Sequence, residues 1–404
     1  MSIVVAAGCE VHGLVGSNAS AGGDGGDDVV GETSIGVADD DGGTTQSGVD
    51  GADESHEETG GEDTTGPRFD VGLPDAPAGC NLPDRWPSCD SLDDNPFHAM
   101  GFNCGDTGPR LDVGEYEGYP GTMTVHSGRL GTYPGPPPGN GFAPREGEKF
   151  VVLSTGDATE LAMSRLELRN KYSSVDGHPC QNADQANGGC PSSVMMDIDG
   201  TLPDDQPLYT LPDPIDVRPS DGDCGENPEF VGSGDCSNSL MQEWLKGGRA
   251  YDYGQLRMTT TVPSGVDGFT FDFAFFSVEY PLYPDHESLF NDMFVVWLDS
   301  ESWTGNVSFD SSGHVISVNS VLFDYRAPSE TCPNCQAPQL QGFAADGHGG
   351  TEWLTTTAPV RPDEQMTLVF ALFDMGDATF DSMAILDHFE WTCSGVPPFT
   401  TPAG

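Results

Sequence analysis

The chain has 404 residues, room for one large β domain with tails or for two ordinary domains. Its 65 Asp and Glu against 15 Lys and Arg give a formal charge of −50, which excludes nucleic acid and anionic lipid head groups as partners, since both need a basic patch. The 53 Gly and 32 Pro predict many turns and few long helices, and no apolar run reaches the roughly 18 residues that a spanning helix requires.

The chain opens Met1-Ser2-Ile3-Val4-Val5-Ala6-Ala7-Gly8-Cys9, a short apolar run, then small residues, then a cysteine. This resembles the lipobox of a bacterial lipoprotein signal peptide, in which the matching cysteine, here Cys9, is lipidated. A charged leading region and a full apolar core are both incomplete, so the true signal is expected to begin upstream of Met1. Residues 1–9 are therefore read as a truncated signal. From 10 to 66 there are 15 acidic residues, no Lys or Arg and no Phe, Tyr or Trp. Such a segment cannot bury enough apolar surface to offset its ordering entropy. Residues 10–68 are predicted to be a disordered acidic tether.

Aromatic residues begin at Phe69, and the folded domain is predicted to run over 69–394, with 395–404 as a flexible tail. Its clearest stretch is GFTFDFAFFSVEYPLYPDHESLFNDMFVVWLDSESWTGN, residues 268–306. Phe269, Phe271, Phe273 and Phe275 fall at every second position, the period of a strand. After a polar loop, Met293 to Leu298 is an apolar run short enough to be its buried partner. Further strands are expected at 121–125, 149–154, 159–167, 255–262, 306–309, 314–318, 365–374 and 383–391, separated by turn dipeptides rich in Gly, Pro and Asn. Only 237–246 (SNSLMQEWLK) looks helical, with a Ser cap and apolar Leu240, Trp244 and Leu245. Many short strands with little helix predict an all-β fold, an antiparallel jelly-roll-like β-sandwich with long disulfide-stapled loops.

Setting Cys9 aside leaves ten cysteines: Cys80, Cys89, Cys104, Cys180, Cys190, Cys224, Cys236, Cys332, Cys335 and Cys393. An even set in a Gly- and Pro-rich exported chain points to five disulfides. The local pairs Cys80–Cys89, Cys180–Cys190, Cys224–Cys236 and Cys332–Cys335 would leave Cys104 with Cys393, although sequence alone leaves the connectivity open. Cys332-Pro333-Asn334-Cys335 also has redox and zinc spacing, but no second such pair accompanies it, so a stapled loop is expected.

Three acidic groups lie where sandwich loops meet: Glu279 with Asn291 and Asp292; Asp374, Asp377 and Asp381; and Asp197 with Asp199. Calcium takes six to eight oxygens, which suits loop clusters from different strands. The first two groups are the candidate calcium ligands, with turn-capping carboxylates as the competing account. The third begins like an EF-hand loop, but Gln206 stands where the closing acid should be. No catalytic motif is identifiable. Trp303 and Trp353, near loops, and His348, in a Gly-rich turn, are the candidate ligand-binding residues; a catalytic role for His348 lacks any nucleophile.

From about residue 92 to 393 the chain resembles the choice-of-anchor L family of exported bacterial proteins. The matching stretches are NPFHAMGFNC (95–104), Pro144-Arg145-Glu146-Gly147, GSGDCSN (232–238) and Tyr251-Asp252-Tyr253 through Leu256. They continue with FFSVEYP (275–281), Phe290-Asn291-Asp292, Trp303-Thr304-Gly305-Asn306 and His348-Gly349-Gly350-Thr351 through Trp353-Leu354. The last run from Asp374 through Asp377 to Asp381-Ser382 and Leu386-Asp387. The resemblance implies export and display at the outer membrane or cell surface, and it brings no established reaction. The expectation is a non-enzymatic, lipid-anchored module that binds a glycan or protein partner, with calcium as its cofactor and the membrane reached only through the lipid. The alternatives are an exported polysaccharide hydrolase and a purely structural envelope protein.

Overall fold

The computed structural model describes residues 79–84, 87–105, 108–133, 141–173, 207–217, 222–232, 234–283, 290–378 and 380–404. Cys9, the tether, Trp86, Cys180, Cys190, Asp197 and Asp199 lie outside the described residues. Two antiparallel sheets form a β-sandwich. One sheet contains β1 (Val113–Glu117), β4 (Ala250–Thr261), β6 (Met293–Asp299), β7 (Thr304–Asn306), β8 (Ile316–Ser317) and β12 (Gln365–Met375). Its order is β1-β4-β12-β6-β7, with β8 also paired to β6. The other contains β2 (Met123–Ser127), β3 (Lys149–Ser154), β5 (Gly268–Ser277), β9 (Tyr325–Arg326), β10 (Gly349–Gly350), β11 (Leu354–Pro359), β13 (Ser382–Thr392) and β14 (Phe399–Pro402). Its order is β14-β11-β5-β13-β3-β2, with β10 bridging β5 and β9.

The Phe alternation in β5 fills the space between the sheets. Phe269, Phe271, Phe273 and Phe275 are fully buried in one cluster with Phe294, Val296, Leu368 and Phe370 of the facing sheet. Phe271 meets Phe370 edge to face at 5.0 Å, and Phe273 meets Phe294 at 4.9 Å. The opposite face of β5 is also covered: Ala274 and Phe276 pack with Leu161, Leu168, Tyr172 and Phe343. The outer face of β6 and β12 is covered in the same way. Met293, Val295, Trp297, Val369, Ala371 and Phe373 pack under Leu240 and Trp244. The continuous apolar runs of β5 and β6 are thus strands buried on both faces.

Several expectations are corrected. Residues 159–167 are not a strand: Ala158–Ala162 is a 3₁₀ turn and Arg165–Tyr172 is a helix, α2, which follows the single-turn α1 at Pro96–Ala99. Ser164 and Glu167 close a reciprocal capping box there, which fixes the helix start. The helix expected at 237–246 is shorter, Met241–Gly247 (α3), with Leu240 at its N-cap and no side-chain cap; Leu245 is 66% exposed. Part of the expected tail is β14, paired with β11 from Leu354↔Pro402 to Thr357↔Phe399.

The disulfide pairing also differs. Cys80 joins Cys393 and Cys89 joins Cys104, in place of Cys80–Cys89 and Cys104–Cys393; Cys224–Cys236 and Cys332–Cys335 are as expected. The physical reason is the fold's own return: Cys393 follows β13 and its Cα lies 5.8 Å from that of Cys80 across 313 residues of chain. A link closing so long a loop constrains the unfolded chain most, so Cys393→Ser should lower stability by about 2–5 kcal/mol. Unreduced peptide mapping should recover Cys80 joined to Cys393; recovery of Cys80 joined to Cys89 would overturn the connectivity.

Candidate functional site

Two of the connections between the sheets at one end of the sandwich, β5 to β6 and β12 to β13, are acidic. Glu279 follows β5, Asn291 and Asp292 precede β6, Asp374 lies near the end of β12, and Asp381 precedes β13. Glu279, Asn291, Asp292, Asp374 and Asp381 are each at most 5% exposed, and Asp377 is half-buried in the turn between β12 and β13. Asp292 ties the ends together: its Oδ1 accepts from Met375 N at 3.0 Å and its Oδ2 from Ser382 Oγ at 2.7 Å. Asn291 Nδ2 donates to Glu243 Oε2 of α3 at 2.8 Å. Val278 N donates to the main-chain oxygen of Asp381 at 3.2 Å. Gly156 permits the closeness, since a Cβ there would lie 2.2 Å from Asp381 Oδ2.

What remains unsatisfied is as informative. Among the described residues, Glu279 Oε2 and Asn291 Oδ1 are buried without a hydrogen-bond partner, and the Asp374 carboxylate is poorly satisfied, with Thr155 and Asp292 beside it. Burial foremost, then the Asp292 and Asp377 carboxylates, pushes Glu279 far above the ordinary carboxylate range. Burial likewise raises Asp374, aided by Asp292, Asp252 and Asp381. Asp292 is raised by burial in spite of its bonds from Ser382 and Met375. Such groups hold a proton, or a cation in its place. Among the described residues, no three His, Cys, Asp or Glu side chains are already grouped to hold a metal ion. A cation here would need Asn291 and main-chain oxygens as well as carboxylates.

The other expected site residues do not join this cluster as a binding face. His348 is 1% exposed, with Nδ1 against the main-chain oxygen of Tyr280 at 3.1 Å. Trp353 is 7% exposed and packs edge to face on Phe150 at 6.1 Å in the second core. Trp303 is half-buried and donates Nε1 to the oxygen of Asn306 at 3.3 Å. The three do not line up as an exposed aromatic row. Cys332 and Cys335 are joined to each other, which closes the loop the spacing predicted.

Sequence reasoning missed a second polar centre, on the outer face of β5. Asp272 alternates with the inward Phe residues, yet it is 2% exposed. Arg145 Nε reaches its Oδ2 at 2.9 Å, Thr355 Oγ1 its Oδ1 at 2.5 Å, and His388 Nδ1 its Oδ2 at 3.0 Å. His388 Nε2 faces Glu390 at 3.2 Å, and Asp387 accepts from the main-chain N–H groups of Arg145, Glu146 and His388. Burial pushes Asp272 up, but the bonds from His388, Thr355 and Arg145 outweigh it and hold the carboxyl below its usual value. Burial pulls the His388 imidazole down, but Asp272 and Glu390 carry it up to about 10. The usable signal was a lone Asp inside an otherwise apolar strand, since such a charge must be paired.

A raised histidine pKa stabilises the fold fully below the unfolded value, near 6.5, and that contribution is lost as pH rises through about 10. The melting temperature should therefore fall between pH 7 and pH 10. His388→Asn keeps a residue that tolerates the positive φ of 56° and should flatten that fall. An equally steep decline in the variant would show that this imidazole is not the titrating group.

Comparison with curated proteins gives no match. A family model does match: residues 234–389 correspond to the Choice-of-anchor L domain, which spans β4 to β13 and carries every member of the acidic cluster. That family is not a known enzyme family, and it suggests a cell-surface protein. Among the described residues no helix is long and apolar enough to cross a membrane. The match supports the family resemblance and places this chain's sandwich beside surface-associated modules.

Proposed function

We propose that the chain is a non-enzymatic module, exported and held at the outer membrane or cell surface by a lipid on Cys9, whose sandwich takes up calcium and presents its outer surface to glycan or protein partners. The observation that carries the calcium reading is a set of buried, poorly satisfied oxygens among the described residues: Glu279 Oε2, Asn291 Oδ1 and the Asp374 carboxylate, which has Thr155 and Asp292 beside it. An unpartnered carboxylate sealed from water is destabilising by several kcal/mol in order of magnitude, unless a proton or a cation neutralises it. Calcium accepts carboxylate, amide, main-chain and water oxygens in a flexible shell. Glu279, Asp374 and Asn291 supply such a mixed set, with Asp292, Asp377 and Asp381 around it. The acids support binding rather than hydrolysis: Glu279 and Asp292 are each 1% exposed, which leaves a polymeric substrate no approach to them.

Calcium should raise the melting temperature, because a ligand that binds only the folded state stabilises it, by about 2.7 kcal/mol at a hundredfold excess over Kd. Magnesium should help less, since it demands a tighter octahedral shell. Asp374→Asn should lose the calcium increment while keeping its β circular dichroism. Melting that ignores both chelator and millimolar calcium would return these acids to protonated, turn-stabilising roles.

Anchoring has a separate test. Expressed with its native upstream sequence, the wild-type chain should partition with membranes and Cys9→Ser should not. Equal partitioning of the two would remove the lipid anchor.

A further inference from the structure

The chain has three lysines, Lys149, Lys171 and Lys246. Lys149 meets Asp94, and Lys171 meets Asp157 and Glu160, whose further side-chain bonds come from the Thr159 and Tyr172 hydroxyls. Lys246, in the last turn of α3, is set differently. Its Nζ donates to Glu243 Oε1 at 2.8 Å, and Asn291 Nδ2 donates to the other oxygen of the same carboxylate, Oε2, also at 2.8 Å. An amine and a side-chain amide thus share one carboxylate. The amide end is sealed: Asn291 is 3% exposed and Glu243 6%, whereas the Lys246 side chain is 32% exposed and reaches in from the rim. Among the described residues Asn291 Oδ1 has no hydrogen-bond partner. The amide is therefore held through its nitrogen, on the carboxylate that also holds the amine.

We propose that Lys246 and Asn291 join in an isopeptide bond, with Glu243 carrying the protons. The bond would staple α3 to the segment before β6, and it depends neither on calcium nor on the lipid anchor. Glu243 Oε1 takes a proton from the Lys246 ammonium, and the freed amine attacks Cγ of Asn291. The Nζ–Cγ bond forms and the Cγ–Nδ2 bond breaks. Two protons pass from Nζ through Glu243 to Nδ2, which leaves as an ammonium ion, so the carboxylate ends ionised as it began. Nothing is oxidised or reduced. Fixing the amine and the amide on one carboxylate makes the encounter intramolecular, the main obstacle to uncatalysed amide exchange. Burial of Asn291 shields its Cγ from water, the competing nucleophile. In the product Asn291 Oδ1 is still an amide carbonyl, so its availability to a cation is unchanged.

The test incubates the folded full chain at neutral pH, then reduces, alkylates and digests it with trypsin for mass mapping. Trypsin should fail to cut after Lys246, and the peptide carrying Lys246 should emerge joined to the one carrying Asn291. The joined pair should weigh one ammonia less than its two halves. Lys246→Arg keeps a cation for Glu243 but cannot give up a proton to become a nucleophile, so its two peptides should stay separate. Glu243→Gln should slow joining by about a hundredfold or more, the scale of a lost general acid–base group. Separate, unmodified Lys246 and Asn291 peptides in the wild type would overturn the bond. Ammonia lost from the Asn291 peptide alone, equally in Lys246→Arg, would mean ring closure onto the following main-chain nitrogen and overturn it as well. Joining at the wild-type rate in Glu243→Gln would remove Glu243 from the reaction. The wild-type map decides the bond whether or not either variant folds.

Discussion

Burial of β5 on both faces is the constraint from which the rest of the architecture follows. A strand with Phe at positions 269, 271, 273 and 275 needs a facing sheet, and β12 with β6 supply it. The same strand carries Ala274 and Phe276 on its other side, so a second cover is required. That cover comes from the 158–172 segment and from Phe343, which is why a stretch with alternating character folds as a turn and helix. The covering elements have their own outward polar faces. They spare the sandwich an exposed apolar patch of the kind that invites association.

The same constraint explains what the sequence revealed and what it hid. β5 and β6 were legible because period-two aromatics and a short apolar run have few other readings. The expected 159–167 strand failed because its apolar residues matched either period, and the Ser164–Glu167 capping box should have decided it. β11, LTTTAP, was hidden by its threonines, which sit beside Asp272 and Thr400 rather than in a greasy layer. β14 was hidden by its Pro402, which an edge strand tolerates. The disulfides were half legible: short spacings suggested local loops, but only the fold brings Cys80 to Cys393. At the candidate site, the acids were visible at strand ends, whereas their convergence depended on two sheet-to-sheet connections meeting at one end.

Two buried acidic centres sit on the same strand and are handled in opposite ways. Asp272, midway along β5, is matched by Arg145, His388 and Thr355, and so stays ionised. The loop at 145–146 and the bulge of β13 at His388 are both held by carboxylates of this network. Just past the strand, burial and then the Asp292 and Asp377 carboxylates push Glu279 toward its neutral form. The first arrangement is complete in itself. The second is less complete: among the described residues Glu279 Oε2 and Asn291 Oδ1 are buried without a hydrogen-bond partner, and Asp374 has Thr155 and its fellow acid Asp292 beside it.

The distribution of cations gives this contrast its meaning. With only 15 Lys and Arg for 65 acids, each positive charge has many competing places to go. Arg145 pairs with buried Asp272, and Lys171 pairs with Asp157 and with fully buried Glu160. Lys246 pairs with Glu243, whose other oxygen holds Asn291. Several of the scarce cations thus sit on buried acids, while Lys149 and Arg361 pair with the exposed Asp94 and Glu301; from Glu243, Asn291 carries the contact onward as a neutral amide. The described groups at that end of the sandwich are oxygen-rich, Asn291 among them, and it is this chemistry that motivates the calcium proposal.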